Sequence, residues 1–280
     1  MADSWEKSIA FFLAEDLGRG DATTRAVVCG GEKGRAALIV REAMIVCGLD
    51  VVRAVFAFLD PDVEWKPRFD EGGRVSAGDR LAELAGRAAP ILGAERVALN
   101  LLQRMCGIAT ATRRYVDAVE GTGCRILDTR KTAPGLRVFD KRAVAAGGGK
   151  NHRFGLDDGI LIKDNHLAVA GSACEAVARA KRSASALLKI EVEVENERQL
   201  QEALASGADA LLIDNRPPAE LAALVAVARR MRPEVPLEAS GGIHLENVRA
   251  YAETGVDFVS IGALTHSVVA ADISLEMDLA

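Results

Sequence analysis

Residues 187–195 read Leu187-Leu188-Lys189-Ile190-Glu191-Val192-Glu193-Val194-Glu195, charged and aliphatic side chains in strict alternation. A period of two places Lys189, Glu191, Glu193 and Glu195 on one face of a β-strand and Ile190, Val192 and Val194 on the other. Periodicity alone favours an amphipathic strand with one solvated face. The surroundings argue otherwise. Short apolar runs at Ile160–Ile162, Leu188–Val194, Ala210–Ile213, Val235–Leu237 and Phe258–Ile261 alternate with Ala/Leu/Glu/Arg-rich segments of helical character. That rhythm, roughly 22 to 28 residues per repeat, is the spacing of βα units in a parallel sheet. A strand inside such a sheet is covered on both faces, so the acidic face points inward. Carboxylates there require cations or a metal, because an unpaired buried charge costs several kcal/mol or shifts its pKa.

An open doubly wound sheet and a closed barrel both permit this rhythm. Polar residues or glycine follow nearly every run: Asp128 to Lys131, Lys163, Glu193, Asp214, Glu238 to Ser240 and Gly262. Barrel enzymes assemble their sites on that face from several strands at once, which favours an incomplete TIM-like α/β barrel. Upstream, Asp3 and Glu6 have capping-box spacing and Gly18 and Gly20 supply a stop, predicting a short first helix. Residues 35 to 90 read as small strands and turns, and Ala94 to about Val119 as a long helix interrupted only by Gly107. The expected organisation is a smaller N-terminal α/β domain over 1–105, completed by 268–280, and a barrel domain over 106–267.

The chain has 280 residues, 49% hydrophobic and 27% charged, enough for a large aliphatic core. Its formal net charge of -5 argues against a nucleic-acid coat or a membrane-surface protein. The five cysteines, Cys29, Cys47, Cys106, Cys124 and Cys174, have no metal-ligand spacing. With no basic leader or long apolar run, the expectation is a cytoplasmic protein.

Charge is unevenly distributed. Segment 125–163 carries nine cations against four acids, leaving the rest of the chain at -10. Lys141-Arg142 reads as a solvated helix face. Arg130-Lys131, His152-Arg153 and Lys163 fall at strand ends or after the glycines 147–149, where they would meet at one barrel mouth and bind carboxylates or phosphates. Ser240-Gly241-Gly242 and Gly262 to His266 are suited to holding a phosphate on backbone N–H groups. His166 follows a strand end, and His244 reads as a surface residue. Val144 and Asn151 rule out a Walker loop at Gly147–Lys150.

Together, Thr129 to Gly135, Gly147-Gly148-Gly149 with Asn151-His152-Arg153, Leu161 to His166, Glu191 to Glu195 and Glu238 to Ile243 resemble quinolinate phosphoribosyltransferase. Glu15 to Asp21 and Glu95 to Asn100 extend the resemblance to nearly the whole chain. It implies a small N-terminal domain and an incomplete barrel. It also implies phosphoribosyl transfer from phosphoribosyl pyrophosphate to quinolinate, with loss of pyrophosphate and CO2, in NAD biosynthesis. Carried over by position, Arg130, His152 and Arg153 hold the quinolinate carboxylates, with Lys131 and Lys163 beside them near the pyrophosphate. Glu193 and Asp214 lie near the ribose and Mg2+; Ser240, Gly241, Gly262 and His266 surround the 5′-phosphate. Arg96 reaches the site of a neighbouring subunit, implying a homodimer or hexamer. Ala133 departs from the common form of its motif, and Lys150 occupies a variable position.

Two other readings compete. A paralogue associated with molybdate transport shares the fold and would depart from the substrate-binding motifs, which are intact over Ile162–His166. A non-catalytic barrel binding a phosphorylated metabolite would explain the glycine loops and leave Glu193, Asp214 and the cationic cluster without a reason.

Overall fold

The computed structural model describes residues 5–29 and 31–279. In chain order the first elements are α1 (Glu6–Leu17), α2 (Ala22–Val27), β1 (Lys33–Val40), β2 (Met44–Ile45), α3 (Leu49–Leu59), β3 (Glu64–Pro67), β4 (Arg74–Val75), β5 (Arg80–Arg87) and α4 (Ala88–Ala118). There follow β6 (Arg125–Leu127), α5 (Arg137–Ala146), β7 (Ile160–Ile162), α6 (Asp164–Ala170), α7 (Ala173–Ser183), β8 (Ile190–Val194), α8 (Glu197–Ala205) and β9 (Ala210–Asp214). The last are α9 (Pro218–Met231), β10 (Leu237–Ser240), α10 (Val248–Ala252), β11 (Phe258–Ser260), α11 (Ala263–His266) and β12 (Ile273–Leu279). The chain forms two compact units. One holds the described residues up to Arg113, Thr132–Gly148 and those from Thr265 onward; the other holds Arg114–Lys131 and Gly149–Leu264.

In the first unit an antiparallel sheet has the order β12-β1-β5-β3. The C-terminal strand completes it, pairing Val40 with Ile273 and Gly34 with Leu279. The expected cap Asp3 lies outside the described residues; α1 begins after Trp5, and Gly18, at φ 49°, ends it. The long helix starts at Ala88, before the expected Ala94, because Pro90 lies in its first turn, where the missing N–H removes no helical bond. Gly107 is required by close approach: a Cβ there would lie 2.1 Å from the carbonyl oxygen of Val269.

The expectation of a solvated Lys141-Arg142 face is corrected. Lys141 is only 3% exposed, and Arg142 pairs with Asp50 at 2.6 Å while lying over the Trp5 ring. Helix α5 is fixed by the neighbouring Asp140, which is fully buried and accepts from Arg104 Nε at 2.7 Å and Nη2 at 2.9 Å. Its Phe139 ring meets Trp5 and Phe12. The charge pattern is that of a surface helix, but tertiary packing turns it inward. Arg104→Ala would strand the Asp140 carboxylate, so a stability loss of about 3–5 kcal/mol is expected by chemical denaturation.

The second unit is built on a six-stranded parallel sheet of order β6-β11-β10-β9-β8-β7. Lys150 adds a one-residue bridge to the outer edge of β6, its N–H donating to Ile126 O at 2.8 Å. Sequence order therefore runs around the sheet from β6 through Lys150 to β7, and the ring is left incomplete between the last two. This is an incomplete TIM-like barrel. Strand β10 begins at Leu237, later than the apolar run from Val235 suggested, because Pro236 has no N–H to pair; its carbonyl still accepts from Leu211 N–H at 3.0 Å. Among the described residues no helix is long and apolar enough to cross a membrane.

Candidate active site

All six strands of the second unit run the same way, so their downstream ends share one face. Sequence order places Lys131 beyond β6, Lys163 directly after β7, Glu193 near the end of β8, Asp214 at the end of β9, Ser240 at the end of β10 and Gly262 after β11. A cavity of about 280 Å³ opens there, lined by Arg130, Lys131, His152, Arg153, Lys163 and Glu238, with Thr129, Ser240 and Ser260 among the remainder. Two arginines and two lysines thus face one small volume.

The alternation of β8 is realised in this setting. Glu193, 8% exposed, accepts from Lys163 Nζ at 2.5 Å, and Glu191 lies 3.1 Å from His152 Nε2. Val192 and Val194 on the opposite face are fully buried. Asp214 is half-buried beside β8 and accepts from Asn215 Nδ2 at 2.6 Å. Arg153 donates through Nη1 to Gly159 O at 2.9 Å; burial, and then the charge of Arg130, draw its pKa below the usual arginine value. Lys131 is anchored through its main-chain N–H, which donates to Thr129 Oγ1 at 3.0 Å.

Three supporting residues were visible in sequence only as strand polar groups. Asp128, fully buried, accepts from the His152 N–H at 2.8 Å and so fixes the loop carrying His152-Arg153. Glu191 and Glu238 approach His152 Nε2 from β8 and β10, at 3.1 and 3.5 Å. Their signal was present, since Glu191 belongs to the alternating run and Glu238 opens Glu238-Ala239-Ser240. Which groups they would face was not. His166 has a local role: its Nδ1 accepts the Lys163 N–H at 3.0 Å at the start of α6. His244 is a surface residue paired with Glu246.

Gly241 has φ 94°, and a Cβ on it would lie 2.0 Å from Asn215 Oδ1. Asn215 is itself in the left-handed region, at φ 52°. Two adjacent strand-end turns therefore interlock through the absence of a side chain. Gly241→Ala is expected to cost about 1–3 kcal/mol in a denaturant titration and to loosen the Ser240 loop.

Not every residue singled out in the sequence lies in this unit. Arg96 is exposed on α4, and His266 ends α11 with its Nδ1 2.7 Å from Ser267 Oγ; both belong to the first unit. Arg137, Lys141 and Arg142 also fall there, so the basic stretch 125–163 is divided between the units. Another concavity, about 640 Å³, lies on the antiparallel sheet of the first unit. Its lining gathers none of the motif residues, and Arg80 and Glu83 within it pair with each other at 3.8 Å. All five cysteines are free. Burial pushes the thiols of Cys106 and Cys124 up to about 12, leaving them small core residues without nucleophilic character.

The chain matches one family in both of its halves. The model of the quinolinate phosphoribosyl transferase C-terminal domain matches residues 108–276, and that of the N-terminal domain matches 21–106. The chain belongs to the quinolinate phosphoribosyltransferase family. A probable nicotinate-nucleotide pyrophosphorylase (carboxylating) of Bacillus subtilis is 44% identical over 274 residues, covering 98% of this chain and 93% of the relative. The nicotinate-nucleotide pyrophosphorylase (carboxylating) of Mycobacterium leprae is 45% identical over 98% of both chains. Among solved structures, NadC from Streptococcus pyogenes superposes with a TM-score of 0.93 at 35% identity, covering 98% of this chain and 96% of its own. The likeness to this family spans the antiparallel sheet as well as the barrel.

Proposed function

We propose that this member of the family is a quinolinate phosphoribosyltransferase, a pentosyltransferase that converts quinolinate and phosphoribosyl pyrophosphate to nicotinate mononucleotide, pyrophosphate and CO2. The observation that carries this reading is the convergence of Arg130, Lys131, Arg153 and Lys163 on one cavity beside the carboxylates of β8 and β9. Quinolinate presents two adjacent carboxylates, which paired guanidinium forks and ammonium groups suit in shape and charge. The pyridine nitrogen already has a lone pair, so no base is needed to create the nucleophile. Catalysis reduces to holding the nitrogen in line with C1 of the ribose and stabilising the positive charge that develops as pyrophosphate leaves. Glu193 and Asp214 supply negative charge for that purpose. Ser240, Gly241 and Gly262, in the late-strand loops, suit the 5′-phosphate, and His266 is assigned to the same group.

Glu193 and Asp214 also suit Mg2+. They are hard oxygen donors at the ends of adjacent strands, and Mg2+ is usually held by one or two carboxylates together with substrate phosphates. When bound, the ion would neutralise charge on the departing pyrophosphate. His152 is assigned to quinolinate recognition, chiefly through its main-chain link to Arg153. The exposed Arg96 suits donation to a neighbouring subunit in a dimer or hexamer. The free thiols, two of them exposed, fit a reducing cytoplasm.

Purified protein given quinolinate, phosphoribosyl pyrophosphate and Mg2+ is expected to release CO2 and pyrophosphate in equal amounts. Absence of turnover with quinolinate overturns the assignment.

A further inference from the structure

Glu238 lines the cation-rich cavity yet is itself only 3% exposed. Its Oε2 is 3.5 Å from His152 Nε2, and Glu191 Oε2 is 3.1 Å from the same nitrogen. The other ring nitrogen is already committed, because His152 Nδ1 accepts the Arg153 N–H at 2.7 Å. In the neutral ring the proton therefore resides on Nε2. A single N–H cannot fully satisfy two ionised carboxylates, and two such charges around one imidazole repel each other. A proton on one carboxylate removes the conflict, as in other buried carboxyl pairs.

The structure favours Glu238 as the carrier. Its side chain is 4% exposed against 15% for Glu191, and its Oε1 has no hydrogen-bond partner among the described residues. Burial first, and the charge of Glu191 second, push its carboxyl up to about 8, against the opposing pull of His152, Ser260 on β11 and Lys163 after β7. Arg130, Lys131 and Arg153 are the other charges lining the cavity. An acid that keeps its proton beside so many cations is a specialised feature, and the reaction proposed above has a use for it. Replacing a carboxyl group by hydrogen on the pyridine ring consumes one proton per turnover.

Resting on that functional reading, we propose that Glu238 is the acid that protonates C2 of the pyridine ring as its carboxyl group leaves. The bond from C2 to the carboxyl carbon breaks heterolytically, CO2 departs, and the bonding pair stays on C2 beside the ribosylated, cationic nitrogen. The O–H proton of Glu238 then moves to C2, forming the C–H bond. Glu238 is left as a carboxylate and regains its proton from solvent before the next turnover. Prompt protonation matters because the electron pair on C2 can otherwise recapture CO2.

Glu238→Gln separates acid chemistry from positioning, since glutamine keeps the size, the neutrality and an N–H donor but cannot release a proton. With saturating substrates, wild-type kcat is expected to fall on the alkaline side as Glu238 loses its proton near pH 8. In Glu238→Gln that limb should vanish, kcat should drop by about 100-fold, and pyrophosphate should appear ahead of CO2. Dissociation constants for both substrates should stay close to wild type. A variant with wild-type kcat, or with the alkaline limb retained, overturns the assignment. A wild-type profile without that limb does so even if the variant fails to fold. If the wild-type protein releases no pyrophosphate with quinolinate, the functional reading itself falls. Wild-type turnover with an unaltered variant removes only the role of Glu238.

Discussion

Glu193→Gln is expected to lower kcat by about 100- to 1000-fold while changing both Michaelis constants little. The substitution keeps the shape of a side chain that is 8% exposed at the end of β8 and removes only its charge. That charge is arranged before the reaction begins, because Lys163 Nζ holds the carboxylate at 2.5 Å. In the proposed reaction positive charge on the ribose exists mainly in the transition state, so a carboxylate placed beside it would act on kcat more than on substrate affinity. Steady-state kinetics for both substrates, together with a thermal melt to confirm folding, distinguish this from a general loss of structure. A variant that loses affinity while keeping kcat would move Glu193 from charge stabilisation to substrate binding.

Arg130→Ala is expected to weaken quinolinate by about 2–5 kcal/mol, a loss of 30-fold or more, and to leave phosphoribosyl pyrophosphate nearly unaffected. Arg130 and Arg153 line one cavity, and under the proposed assignment losing one fork would leave a substrate carboxylate without its partner. Arg130→Lys should recover only part of the loss, because an ammonium replaces the charge but not the planar pair of donors. Ser240→Ala should show the opposite bias. Separate titrations of the two substrates give the answer, and equal losses for both from Arg130→Ala would argue against a quinolinate-specific role.

Much of this was legible in the chain. The alternation over Leu187–Glu195 requires a strand, and β8 occupies Ile190–Val194 with Val192 and Val194 buried behind Glu191 and Glu193. The apolar runs become β7 to β11, with an adjustment at β10 where Pro236 cannot donate. Gly18 and Gly107 carry their reasons in backbone geometry, one ending a helix and the other admitting the carbonyl of Val269. Charge alone was a poorer guide. Lys141 reads as a solvent residue because nothing local reveals that Phe139 and Asp140 draw its helix into the first unit. The stretch 125–163 looked like a single basic segment, yet its middle, Thr132–Gly148, belongs to a different compact unit from its ends.

The sequence by itself determined the periodic order of strands and helices, the polar residues at the downstream strand ends, and the motifs that identify the family. These depend on residue type and spacing along the chain. Only the tertiary structure decided which side chains meet. Asp128, just after β6, orients the main chain of His152, and Glu191 from β8 and Glu238 from β10 converge on its Nε2. The protonation of a carboxylate depends on the charges and dielectric around it in space, and those around Glu238 come from distant parts of the chain, His152 being 86 positions away.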